Sequence, residues 1–289
     1  MKFYKKYLII FAALLIVTFS FIGCTSSKTT DSSKYTNTEN TIKVSYIDVG
    51  QGDSILIQVN GKNLLIDAGP NDSTDKLMSY LSKQNIKKLD FIVATHPHED
   101  HIGAMDTVIK KYDIGQFYAP KKTTTTKTFE NMVTALKTKN IKISTATAGV
   151  NLDLGKNVKC EMIAPNNTNY GDNLNNYSAV IKITYGNSKF LFMGDAEKLN
   201  EKEILSKNYD IASDVLKLGH HGSSTSSSKA FLDKVAPKIA IVSCGKNNDY
   251  GHPHKETMDE MKKRNIQVYR TDVDGSIVLI SDGKKISKQ

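Results

Sequence analysis

The stretch THPHEDHIG, residues 95–103, places three histidines and two carboxylates within six consecutive positions, His96 to His101, directly after the apolar run FIVA. Imidazole and carboxylate at that density form the donor set of a divalent-cation site, which supplies Lewis-acid charge and activated water for hydrolysis. All seven histidines of the chain fall in three clusters: His96, His98 and His101; His220 and His221; His252 and His254. Each cluster follows an apolar run within a few residues, respectively FIVAT, VLKLG and IAIVSCG. Loops leaving one edge of a layered sheet converge, so three such clusters can line one pocket.

The spacing points to two ions. Pro97 keeps His96 out of the helical region, so His96 and His98 run extended and project to the same side, where one ion takes both. Asp100 and His101 follow as the chain turns into IGAMDTVIKK, which swings them toward a neighbouring position and leaves Glu99 as a solvated charge. A bridging acid is needed, and Asp195 in FLFMGDAE fits: an apolar strand, a glycine permitting close approach, then a carboxylate. The same position also suits a helix cap for AEKLNEKEIL. Asp67, in LLIDAG, is expected to orient the first histidine loop by hydrogen bonds without touching metal. There is no HExxH, so the helix-borne zinc-protease site is excluded.

The elements that must position these residues are legible as periodicity. IKVSYIDVG, SILIQV and NLLIDAG read as strands, with Asn60-Gly61 as a hairpin turn. A helix capped by Asp72 or Ser73 follows, then the strand FIVAT, then helical spacing at Phe129, Met132, Val133 and Leu136. VKCEMIA, SAVIKITYG and SKFLFMG read as strands before helix and strand alternate through EKLNEKEILSK, DVLKLG, SKAFLDKV, KIAIVSCG, HKETMDEMKKRN, IQVYR and GSIVLIS. An α/β architecture of two sheets, each covered by helices on its outer face, satisfies this order.

The N-terminus carries three lysines in MKFYKKY, a 16-residue apolar stretch from Leu8 to Gly23, and then Cys24. That order reads as an export signal, residues 1–23, with an uncleaved anchor as the alternative. The polar run from residues 24 to 41 reads as a tether that cannot build a core, and residues 42–289 as the globular domain. Cys160 and Cys244 lack zinc-finger spacing and read as buried thiols, with a disulfide as the alternative in an exported protein. The formal charge is +9, and removal of a signal that carries three lysines and no acid leaves +6. Only Arg264 and Arg270 are arginines, so the basicity is a weak argument for phosphate recognition. Nothing in the sequence singles out a protein partner.

Seven segments in order, YIDVGQGDS, LLIDAG, THPHEDHIGA, NNYSAV, FMGDA, LKLGHHGSSTS and YGHPH, resemble the metallo-β-lactamase superfamily, within it the hydrolase domain of the ComEC-like competence branch. The resemblance covers about Ile42 to Ser281 and implies a four-layer αββα sandwich. It implies His96 and His98 as ligands of a first ion, Asp100 and His101 of a second, Asp195 as the bridge, and His221 as a further ligand of the second, with His220 as its alternative. Phe21-Ile22-Gly23-Cys24 resembles a lipobox, which implies a lipid on Cys24 and a domain held at the outer face of a bacterial membrane. Where much of the superfamily supplies a further histidine, this chain has Asn175-Asn176-Tyr177-Ser178. Oxygen from Asn176, Ser178 or water in that place shifts preference from zinc toward manganese.

The expected chemistry is hydrolysis of a phosphodiester, including nucleic acid, by hydroxide held between two divalent ions. Asp100 or a bridging water is expected to relay the proton, and His252 to bond the oxyanion, protonate the leaving oxygen, or merely fix its loop. Gly222 and Ser223 are expected to help hold a phosphate, and His254 to be exposed. A β-lactam, lactone or thioester substrate, or a non-catalytic metal-binding lipoprotein, are the competing expectations.

Overall fold

Alternation along the strands explains how the layers stack. In the computed structural model, which describes residues 40–289, the first-half strands are β1 (Ile42–Tyr46), β2 (Ile55–Val59), β3 (Lys62–Ile66), β4 (Lys88–Val93), β5 (Asp113–Ala119) and β6 (Ile143–Thr145). The second half supplies β7 (Val158–Ala164), β8 (Val180–Tyr185), β9 (Ser188–Phe192), β10 (Val215–Lys217), β11 (Ile239–Val242), β12 (Gln267–Arg270), β13 (Ile277–Ser281) and β14 (Ile286–Lys288). They form an eight-stranded sheet ordered β14-β13-β1-β2-β3-β4-β5-β6 and a six-stranded sheet ordered β12-β11-β10-β9-β8-β7.

Ile55 and Ile57 of β2, Ile66 of β3 and Phe91 and Val93 of β4 share one buried cluster with Ile181, Ile183, Phe190 and Phe192 of the other sheet. Their strand neighbours Leu56, Leu65 and Ile92 face the opposite way. There they pack on the helices α1 (Thr74–Lys83), α2 (Glu99–Ile102), α3 (Met105–Lys111) and α4 (Lys127–Thr138). On the second sheet Leu191, Leu216, Ala240 and Val242 turn outward to α5 (Lys198–Ser206), α6 (Lys229–Val235) and α7 (Lys255–Lys263). The short α8 (Thr271–Asp274) follows β12. Period-two burial on both sheets thus yields helix, sheet, sheet, helix, the four-layer order.

Each sheet combines antiparallel and parallel strands. Pairing is parallel from β3 through β6 and from β9 through β12. Parallel neighbours place their C-terminal ends along one rim, where open α/β sheets gather ligands. The β2–β3 hairpin turns at Asn60 and Gly61, both at positive φ, as the Asn-Gly pair requires. Ser73 is the cap residue of α1, although its side chain accepts from no helix N–H and its hydroxyl donates to the Val49 carbonyl. Cys160 and Cys244 are both buried and free, so no disulfide joins them. Cys24, the apolar run before it and the tether through residue 39 lie outside the described residues. Among the described residues no helix is long and apolar enough to cross a membrane.

Candidate metal centre

The C-terminal rim assembles the site from both sheets. Past β4, Thr95 is buried and its N–H and Oγ1 donate to Asp67 Oδ1 and Oδ2, each at 2.7 Å. The chain then runs extended through His98, and His96 Nε2 comes within 2.8 Å of His98 Nδ1. Asp100 and His101 lie on α2, the latter fully buried.

Asp195 follows β9 after Gly194, whose φ of +52° and 3.0 Å clearance from the Thr95 Cβ leave no room for a side chain. The cap of α5 is Glu197, in a reciprocal pair with Asn200, so Asp195 is not spent on the helix. Its two oxygens face different partners. Oδ1 lies 3.3 Å from His101 Nε2 and 3.5 Å from His221 Nε2, whereas Oδ2 lies 3.7 Å from His96 Nε2 and 3.8 Å from His220 Nε2.

The GHHGS turn separates two adjacent imidazoles by backbone conformation. His220 (φ 48°, ψ 52°) and His221 (φ 52°, ψ 28°) are both left-handed, a strained choice for non-glycine residues that clusters at functional sites. His221 is buried and lies 3.1 Å from Asp100 Oδ2, while His220 turns to the rim beside Glu197 Oε1 at 3.4 Å. Among the described residues two groups of donors able to hold an ion share Asp195, namely Asp100, His101, Asp195 and His221, and His96, His98 and Asp195; a third, of Asp53, Asp67 and His101, shares His101 with the first. His221, not His220, joins the first group.

The donor chemistry fits divalent cations. His101 Nε2 and Asp195 Oδ1 are buried without any hydrogen-bond partner, an expensive arrangement that a cation between them would relieve. The ring orientations suit it: His101 Nδ1 donates to Asp67 Oδ2 at 2.7 Å and His221 Nδ1 to the Ser243 carbonyl at 2.9 Å, which turns each Nε2 toward Asp195, that of His101 unpartnered and that of His221 3.1 Å from Asp100 Oδ2. Burial works against ionised Asp195, yet the His221 and His101 imidazoles hold it well below the usual carboxylate range. Burial also opposes charge on His101 and His221, and Asp195 outweighs it, so both sit well above the ordinary imidazole value. The acids therefore demand compensating positive charge at this point.

Other expected site residues are placed as follows. Asp67 contacts Thr95 and His101 and belongs to neither of the two Asp195 groups. Ser178 Oγ accepts from Asp195 N–H at 3.1 Å, and the Asn176 carbonyl accepts from Asn200, while the Asn176 Oδ1 is buried and unpartnered. His252 lines a cavity of about 610 Å³ with His98, Asp100, Asp195, His220 and His221. Burial, then the neighbouring His221 and His220, push its pKa down to about 4, so it is neutral at pH 7.

Glu99 is exposed, as a solvated charge should be, and it also lines the cavity and accepts from Asn71 N–H at 2.7 Å. Two expectations need correction. Gly222 and Ser223 do not line that cavity: Gly222 packs against Pro253, and Ser223 is buried with its Oγ accepting from Thr225 N–H. His254 is half-buried, its Nδ1 accepting from Ser224 N–H and its Nε2 donating to the Tyr250 carbonyl.

Two further residues carry no histidine-like signal. Lys217, in β10, is fully buried with Nζ 2.8 Å from Asp53 Oδ2, and Asp53 Oδ1 lies 3.4 Å from His221 Nδ1. Burial alone would raise Asp53; Lys217, then His221, bring it down to about 2. A lysine inside the apolar run VLKLG was the available clue.

This arrangement defines a metal-dependent hydrolase. A sequence model of the Metallo-beta-lactamase superfamily matches residues 47–246, and the chain belongs to that superfamily. It is 31% identical over 253 residues to ComE operon protein 3 of Bacillus subtilis, covering 81% of this chain and 32% of that protein. It is 28% identical over 247 residues to Competence protein ComA of Neisseria gonorrhoeae, covering 83% and 32%. A shorter match, 39% over 74 residues, joins it to Exodeoxyribonuclease WalJ of Streptococcus pneumoniae, covering 25% of this chain and 26% of that one. The chain thus spans about a third of the length of the first two of these relatives. Among solved structures, the metallo-beta-lactamase fold protein YhfI from Bacillus subtilis superposes with a TM-score of 0.56 at 14% identity, over 84% of this chain and 100% of that one. The metallo hydrolase Igni18 from Ignicoccus hospitalis gives 0.55 at 18%, over 82% and 98%. Both likenesses show the fold.

Proposed function

We propose that the chain hydrolyses phosphodiesters, nucleic acid among them, with two divalent cations, and that it does so tethered by a lipid on Cys24 at the outer face of a bacterial membrane. The observation that carries the catalytic part is Asp195, whose two carboxylate oxygens face separate imidazole groups at the floor of an open cavity. Two cations there would supply Lewis-acid charge and an activated water. His96, His98 and Asp195 would hold one, and Asp100, His101, His221 and Asp195 the other. Asp100, partly open to the cavity, is placed to take the proton released by the attacking water. His252, neutral and with an unpartnered Nδ1, is placed to hydrogen-bond a non-bridging or leaving oxygen of the substrate. Manganese, a harder ion than zinc, is the reading supported by the sequence, which offers Asn175-Asn176-Tyr177-Ser178 in place of a further histidine.

The names of the relatives support the substrate: one is a competence protein and one an exodeoxyribonuclease. The tether rests on the sequence from Met1 to Cys24. The test is hydrolysis by the full chain, supplied with manganese or zinc, of single-stranded DNA, a nitrophenyl phosphodiester and a chromogenic cephalosporin. Diester turnover without cephalosporin turnover is expected. His98→Ala should keep the fold and lose activity by more than the roughly 10–100-fold typical of partners that only orient a ligand. Cephalosporin turnover alone, or full metal content with no turnover that Asp195→Asn leaves unchanged, would replace this reading with a competing one.

A further inference from the structure

The tyrosines beside the motifs divide sharply. Tyr177 is buried and meets Tyr170 edge-on at 5.2 Å, and the Tyr170 hydroxyl donates to Glu203 Oε2, so these two are packing residues. Tyr250 is 67% exposed, the only exposed large aromatic among the described residues, and it stands at the mouth of the metal-site cavity. Its ring stacks on His252 at 5.6 Å between centroids and 19° between planes.

The loop that presents Tyr250 is firmly held. Asn248 Oδ1 accepts from the N–H of Tyr250 and of His252, and Asn248 Nδ2 donates to the Gly245 and His252 carbonyls. The Tyr250 carbonyl accepts from His254 Nε2 at 3.1 Å. These bonds fix His252 and Tyr250 together, and they display a ring whose burial would gain more than its exposure. A second cavity of about 630 Å³ borders the same loop, lined by Lys246, Asn247, Asn248 and Arg270, and His252 lines both cavities. Arg270 is committed to Asp272, whereas Lys246 is exposed and in no ion pair among the described residues.

We infer that Tyr250 is a stacking platform for a nucleobase next to the reacting phosphate, with the Lys246 cavity receiving the continuing strand. The site then takes single-stranded nucleic acid, because a paired base offers no free face to a ring standing at the side of the strand. This rests on the phosphodiesterase reading above and adds the subsite. Stacking on a fixed ring is tolerant of base identity, so the subsite would select for strandedness and not for sequence.

The test uses the full chain with manganese, a single-stranded oligonucleotide, the same oligonucleotide with abasic nucleotides, and methyl nitrophenyl phosphate, which carries no base. Tyr250→Ala should raise KM for the intact oligonucleotide roughly 5–150-fold with kcat little changed, the range that loss of one base–aromatic stack gives. Tyr250→Phe should behave as the parent. Abasic substitution beside the cleaved bond should cost the parent the same factor and cost Tyr250→Ala nothing more, while turnover of the methyl ester reports any effect of each variant on the hydrolytic step apart from the base. An unchanged KM in Tyr250→Ala, or equal impairment of Tyr250→Phe, would overturn the inference while leaving the hydrolase reading standing. Should the parent cleave no diester, that reading fails. Anisotropy of the labelled oligonucleotide then decides the subsite: the same 5–150-fold weakening in Tyr250→Ala upholds it, and unchanged or absent binding sinks it.

Discussion

Lys217 and Asp53 form an ion pair 2.8 Å long with both side chains sealed from solvent, and the second Asp53 oxygen abuts the ring of His221. The pair clamps the back of the imidazole whose Nε2 faces Asp100, so a lysine on β10 of one sheet and an acid in the loop leading into β2 of the other set a candidate ligand's position. Deleting one partner of a buried pair leaves an uncompensated charge, which costs about 3–5 kcal/mol. Lys217→Met should therefore lose roughly that much in urea unfolding, and Asp53→Asn in the same chain should recover part of it.

The same pair shapes acid stability. The folded Asp53 value, about 2, lies below the ordinary 3.8, so its contribution is complete above about pH 4 and is lost as pH falls through 2. The shift corresponds to something on the order of 2 kcal/mol. Lys217→Met removes the cause of the depression, so the acid unfolding midpoint of the metal-free chain should move to higher pH, as followed by circular dichroism.

Asp67 is expected to act through His101. Asp67→Asn keeps the shape and tolerates the left-handed backbone at φ 58°, but removes the charge that holds the His101 Nδ1 proton. Affinity for the second metal ion should fall about 10–100-fold, read by titration with a metal indicator, with a smaller change in thermal stability.

Metal removal should loosen the whole domain. An ion bound at 1,000 times its Kd stabilises by about 4 kcal/mol, which for a domain of this size is a shift of roughly 10 °C. Calorimetry with and without chelator should show that shift, and His98→Ala should lose part of it.

Cys160 and Cys244 should be silent in the native state. Burial pushes Cys244 up to about 12 and Cys160 higher still, so neither offers thiolate at neutral pH. A thiol reagent should titrate neither in buffer and both after unfolding.

The residues show where sequence stops informing. Strands with a buried face, such as Ile55, Ile57 and Val59 of β2, announce themselves by alternation. β5, β6 and β14 do not, because β6 is wholly exposed, β14 nearly so, and β5 buries only Phe117 and Ala119. The His96 to His101 spacing displays its groups locally, since Pro97 and a helical turn decide them. The choice between His220 and His221 depends on two left-handed residues in succession, which no side-chain pattern reports. Asp53 and Lys217 meet only when the sheets close, so neither alone suggests a role.

The donors are divided between the layers: His96, His98, Asp100 and His101 leave the first sheet, Asp195 and His221 the second. A nick in the connection around Asn166 to Asp172 would yield two fragments, neither holding a full coordination set. Their reassembly should be promoted by added cation and reversed by chelation, which would make the severed domain a metal-gated switch.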